Sequence, residues 1–183
     1  SQVKGAYSMV LMTQAQLVAI RDPGGSRPLC LGQLTNGSYI VASETCALDL
    51  VEAQYVRDIG PGEVLIIDKN GLKSLFPWPK QKHSFCIFEH VYFARPDSDI
   101  FGMNVYQSRK QMGKILASEC QLQADLVMPF PDSGNYAAIG YSQASGIPLE
   151  MGVIRNHYVG RTFIQPTQSM RDFSVRVKLN PVR

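Results

Sequence analysis

The chain has 183 residues, 45% of them hydrophobic and 18% charged, enough for one sizeable core or two small domains. A formal charge of +3 and a pI near 8.7 are too mild to argue for nucleic acid as a partner. No apolar run approaches the roughly 18 residues that span a bilayer. Cys30, Cys46, Cys86 and Cys120 lie far apart without a C-x-x-C pair, so reduced thiols in a cytoplasm-like aqueous compartment are expected.

The chain opens on "SQVKGAYSMVLMT", where an apolar strand follows closely on a start without Met, and closes on the basic "VRVKLNPVR". The expectation is an internal piece of a longer polypeptide. From Ala6 to about Leu75, "AYSMVLMT", "QLVAIRD", "RPLCLG", "YIVASET" and "EVLIID" read as short strands between turn residues. Asn70-Gly71 supplies the backbone freedom of a tight turn, so "VLIIDKNGLKSL" is expected to be a hairpin. "SETCALDLVEAQ" predicts a short helix with Ser43 as its cap. Arg21 to Gly24 reads as a turn. The first half is thus an antiparallel-rich α+β unit.

"FPWPKQKHS" has two prolines, several basic side chains and no period, the composition of a linker. The predicted organisation is therefore 1–76, a linker at 77–84, and 85–183. Beyond the linker, helix and strand alternate. "NVYQSRKQMGKILASE" predicts a helix with Val105, Met112, Ile115 and Leu116 on its apolar face and Arg109, Lys110 and Lys114 in solvent. "ADLVMPFP" and "LEMGVI" read as strands of a parallel sheet, joined by the helix "SGNYAAIGYSQASG" that Gly146 ends. Strand, turn, helix, strand is the opening of a doubly wound α/β domain.

In open α/β sheets ligands bind beyond the carboxyl ends of strands, which here means Pro131-Asp132-Ser133-Gly134. A strand running into a small polar turn and a helix leaves amides facing outward, as phosphate oxygens require. Ser133 offers a hydroxyl to phosphate or Mg²⁺, and Asp132 a helix cap; an ordinary N-capped turn accounts for the same residues. In "IRNHYVGRTFIQP", Arg155, His157 and Arg161 supply charge-assisted donors, and Arg171, Arg176 and Lys178 extend the positive charge. Gln165-Pro166-Thr167 forbids one continuous helix. A basic segment without a packed period is read as a lid that orders over an anion, with a merely solvated loop as the competing reading. Cys86 by itself reads as a small buried hydrophobe.

"RDPGGSRPLCLG", "VASETCALD", "CIFEHVYFARPDSDIFGMNVYQSR", "PDSGNYAAIGY" and "NHYVGRTFIQPTQSMR" together resemble the amidophosphoribosyltransferases, the glutamine phosphoribosylpyrophosphate amidotransferases of purine synthesis. The resemblance runs in one order from Gly5 to Arg183. It implies that the first part is the later portion of an N-terminal-nucleophile glutaminase and the last part the opening of a type I phosphoribosyltransferase domain. It implies glutamine and phosphoribosyl pyrophosphate as substrates, purine nucleotides as feedback inhibitors, Mg²⁺ as cofactor and a homo-oligomer, a tetramer in the family. Neither nucleic acid nor a membrane is implied, and the compartment is the cytoplasm, or the plastid stroma in a plant.

Carried over residue by residue, the resemblance puts Asp132, Ser133 and Gly134 around the pyrophosphate, with Ser133 contacting Mg²⁺. It makes 155–178 the flexible loop that closes over substrate, with Arg155 a substrate-binding residue and Tyr158, Arg161 and Ile164 its distinctive side chains; from its charge pattern the loop is expected to be disordered when empty. Cys86 matches a position that in one branch ligates a [4Fe–4S] cluster, whose other thiolates would come from beyond Arg183. His157 stands where many relatives carry a fixed positive charge and weakens it near neutral pH. The N-terminal Cys nucleophile and an Asp-Asp signature are absent from these residues, which by themselves are expected to be inactive. A stand-alone salvage phosphoribosyltransferase and a non-catalytic purine-nucleotide sensor are the rival readings.

Overall fold

A computed structural model describes residues 3–160, 162 and 164–182. The chain divides into two compact units, Ser1–Tyr106 and Gln107–Arg183.

The first unit is built on two antiparallel sheets. Strands β1 (Ser8–Met12), β2 (Leu17–Arg21), β6 (Val64–Asp68) and β7 (Gly71–Leu75) form one, in the order β1-β2-β6-β7. Strands β3 (Cys30–Gln33), β4 (Tyr39–Ala42) and β5 (Gln54–Asp58) form the other, with β3 central. Alternation on β3 explains how the layers stack, because successive side chains point to opposite faces. Leu31 packs with Ala19, Ile59 and Leu65 between the sheets, while Cys30 packs with Leu48 and Ala53 under helix α1 (Thr45–Leu50). Gly32 is needed there, since a Cβ would lie 2.7 Å from Leu48 Cδ2. The expected hairpin is β6–β7, with Asp68 opposite Gly71 at φ +108°.

Ser43 does not cap α1. The N-cap is Glu44, which makes no side-chain cap bond. Its carboxylate accepts instead from the Arg95 amide and the Ser98 hydroxyl, both at 2.8 Å, while Thr45 Oγ1 accepts from the Asp99 amide at 2.8 Å. Donors about fifty residues away thus take the place of the helix's own first turn. Residues 77–84 carry neither helix nor strand. The chain after them lies along the first-half loops, with Ser84 N bonded to Gly24 O, Cys86 N to Ser26 O, and Arg27 paired to Glu89 at 2.6 Å. A π-helical turn at Glu89–Phe93 and the short strands β8 (Asp99–Ile100) and β9 (Met103–Asn104) complete this unit.

Helix α2 (Val105–Glu119) carries the chain into the second unit. Its buried positions are Val105, Arg109, Gly113 and Ala117, one every four residues. Arg109, expected in solvent, is buried, and Ile115 and Leu116, expected in the core, are exposed. The contact with helix α3 (Asn135–Ser145) runs through glycines, so backbone rather than large side chains meets there. Gly146 ends α3 in the left-handed conformation as expected. The anticipated parallel pairing is a single bridge, Val127 to Leu149. Strand β10 (Val153–Arg155) pairs antiparallel with β11 (Leu179–Pro181). Between them the basic segment contains a helix that its charge pattern did not suggest, α4 (Gln168–Lys178), capped by Thr167 just after Pro166. No described helix is long and apolar enough to cross a membrane.

Candidate functional site

The 131–134 turn closes the connection from Val127 into α3. Gly134 N bonds back to Phe130 O at 3.1 Å and Asn135 N to Asp132 O at 3.2 Å, which folds the turn onto the helix start. Gly134 fits because a Cβ there would stand 2.9 Å from the Phe130 carbonyl oxygen. The Pro131–Asp132 peptide is cis. Ser133 is exposed at the apex.

Asp132 does not cap α3, whose N-cap Gly134 receives no side-chain bond. Its carboxylate is taken by the Arg155 guanidinium through Nη1 to Oδ2. Both side chains are partly exposed, 41% for Asp132 and 29% for Arg155, so the pair remains reachable from solvent. Arg155 is held by the β10–β11 ribbon, opposite Leu179. Among the described residues, two buried polar atoms here have no hydrogen-bond partner: Arg155 Nε, a donor, and Asn135 Oδ1, an acceptor. Asn135 was not singled out from sequence, where it reads only as part of the helix that follows the turn.

Asp132, Ser133, Gly134 and Arg155 are therefore brought together. Tyr158 is fully exposed and Ile164 largely so. Arg161 lies outside the described residues. Arg171 serves its own helix, donating to Gln165 O at 2.8 Å and to Gln168 Oε1. Arg176 and Lys178 sit in the last turn of α4, where the helix dipole favours positive charge.

For the implied inorganic groups, no three His, Cys, Asp or Glu among the described residues are grouped to hold a metal ion. One serine hydroxyl beside an arginine-paired carboxylate does not make a protein-built Mg²⁺ cage. It fits an ion that travels on a phosphorylated ligand. Cys86 is half-buried, Cys30 and Cys46 are buried in the first unit, and Cys120 is exposed. A [4Fe–4S] cluster takes four thiolates, and these residues do not supply a set.

No family model matches the sequence. Among curated proteins, it is 55% identical over 182 residues to amidophosphoribosyltransferase 1, chloroplastic, of Arabidopsis thaliana, a match covering 100% of this chain and 32% of the relative. It is 50% identical over 183 residues to the amidophosphoribosyltransferase of Bacillus subtilis, covering 38% of that protein. Among solved structures, glutamine phosphoribosylpyrophosphate amidotransferase from B. subtilis, complexed with ADP and GMP, superposes with a TM-score of 0.88 at 50% identity. That match covers 98% of this chain and 39% of the other. A second, described as the allosteric regulatory enzyme of purine biosynthesis, has the same score and identity. The chain spans about a third of the length of the curated relatives it matches.

Proposed function

We propose that this chain, related along its whole length to the amidophosphoribosyltransferases, is the stretch of such an enzyme in which a glutaminase passes into a phosphoribosyltransferase. In this reading 1–76 is the later part of the glutaminase, 77–84 the linker, and 85–183 the opening of the transferase domain. The intact enzyme makes 5-phosphoribosylamine in the first committed step of purine nucleotide synthesis. Glutamine is hydrolysed, and its ammonia attacks the anomeric carbon of phosphoribosyl pyrophosphate and expels pyrophosphate. One observation carries the reading: at least half the residues are shared over the full length of the chain, in the same fold.

The roles of the residues follow from their chemistry. The 131–134 turn receives the pyrophosphate at the start of α3, where amide dipoles favour negative charge. Arg155 supplies the fixed positive charge. Tyr158, Arg161 and Ile164 belong to the segment that covers the substrate, and excluding water strengthens the charge interactions beneath it. Ser133 would give one oxygen to Mg²⁺, which when bound would supply positive charge to offset that of the diphosphate. Cys86 would give a [4Fe–4S] cluster a single ligand, and no step depends on it. Purine nucleotides, of the kind bound in the B. subtilis protein, are the proposed feedback inhibitors. The proposed setting is a homo-oligomer in the cytoplasm or, in a plant, the plastid stroma.

The test is to follow pyrophosphate release from phosphoribosyl pyrophosphate by the protein that contains this chain, with and without glutamine. Release that depends on glutamine is expected. Transfer to a free purine base without glutamine would mean a salvage enzyme, and nucleotide binding without turnover would mean a sensor.

A further inference from the structure

We propose that Asp132 is an internal counter-ion: it occupies Arg155 in the empty site, and an incoming phosphoryl group binds by taking its place. The inference rests on the proposed reading of the 131–134 turn as an anion site. It adds what the ion pair does there.

Without ligand, the Arg155 guanidinium is already claimed by a carboxylate of this chain. An incoming anion must displace that carboxylate before it gains Arg155. A single phosphoryl group then exchanges one anionic partner for another, and it leaves Asp132 uncompensated beside it as a like charge. A diphosphate meets the same cost at Arg155, and its second phosphoryl group is free to engage the start of α3. The second contact offsets the lost ion pair. Asp132 therefore lowers the affinity of the site for any anion that must displace it.

The state of the guanidinium supports exchange over permanent pairing. Its bond to Asp132 runs through Nη1, while Nε is buried without an acceptor. An unmet buried donor costs free energy, and a planar guanidinium satisfies Nε and a terminal nitrogen together when it meets a phosphate side-on. Asp132 holds Arg155 in place but leaves part of its bonding capacity unmet. The partial exposure of both side chains gives the ligand a route to displace it.

The experiment titrates inorganic phosphate and pyrophosphate into the protein by calorimetry, with and without Mg²⁺, for wild type, Asp132→Asn, Arg155→Gln and the double variant. Circular dichroism melts verify that each variant is folded, and Asp132→Ser replaces Asp132→Asn if the latter melts early. Expected is tighter binding of phosphate and of pyrophosphate by Asp132→Asn, by about fivefold. In the Arg155→Gln background the Asp132→Asn gain should vanish. An equal gain in both backgrounds would reveal a general field effect and overturn the exchange, as would weaker phosphate binding by Asp132→Asn. If wild type binds no pyrophosphate, or Arg155→Gln leaves that binding unchanged, the anion-site reading itself fails. Loss of pyrophosphate binding with Arg155→Gln and no gain with Asp132→Asn overturns the exchange alone.

Discussion

Gly113 of α2 and Gly140 of α3 face the other helix with no room for a side chain. A Cβ on Gly113 would lie 1.9 Å from the Ala137 carbonyl oxygen, and one on Gly140 1.9 Å from that of Lys110. Alanine at either position gains about 1 kcal/mol of helix propensity, but the backbones must separate to admit it. The clash lies against backbone on both sides and should win. Gly113→Ala and Gly140→Ala are each expected to destabilise the second unit by about 2 kcal/mol or more, read by urea unfolding. Stabilisation by either would refute the close approach.

Arg21 is 1% exposed, and its guanidinium donates to three carbonyls: Arg27 O at 2.8 Å, Ile59 O at 2.6 Å and Gly25 O at 2.9 Å. The Phe101 ring lies against it, 5.4 Å from centroid to guanidinium carbon. Lysine carries the charge but lacks the planar fork that spans these acceptors. Arg21→Lys should therefore cost about 2–3 kcal/mol, seen as a lowered melting temperature of the first unit. A melt within a degree or so of wild type would contradict the assignment.

Burial works to raise the Glu63 carboxyl, but hydrogen bonds from Arg57, Ser74 and the Gly60 amide outweigh it and hold the group below its ordinary value. The folded value lies below the unfolded one, so this group's contribution is present above about pH 4.3 and is lost as pH falls through the folded value. Glu63→Gln is expected to lower stability at pH 7 by about 2 kcal/mol and to flatten the acid limb of the stability profile. Parallel acid limbs for wild type and variant would show that Glu63 does not drive it.

Burial first, and the negative charge of Asp58 second, push the Cys30 thiol up to about 11. The thiolate is the reactive form, so at pH 8 Cys30 should resist iodoacetamide while exposed Cys120 labels quickly. Mass spectrometry of the labelled peptides gives the order. Adding urea should bring Cys30 level with the rest, and labelling of native protein at equal rates would count against its buried position.

Sequence pattern found the elements whose signals are local. The apolar and β-branched runs became β1 to β4 and β6, the Asn-Gly turn became the β6–β7 hairpin, and Gly146 stopped α3, while β5 was not foreseen. It failed where a distant partner decides. Glu44 turned from its own helix to Arg95 and Ser98, and Arg109 is buried although its charge read as solvent-facing. Helix α4 went unrecognised because it buries none of its side chains, so its apolar residues left no core-facing pattern to read. Asp132 and Arg155 were each picked out as anion-site groups. That they hold each other was invisible, since they are 23 residues apart and only the tertiary fold joins them.

The β10–β11 ribbon ties Val153 to Pro181 and Arg155 to Leu179, so the basic segment starts and finishes at one anchored base. Chain closure of this kind grows only with the logarithm of length, about 0.6 kcal/mol for each doubling. The exposed turn at Tyr158 is thus a natural insertion site. A peptide reporter grafted there would lengthen the segment while Arg155 stays fixed at its hinge, leaving the contact to Asp132 intact.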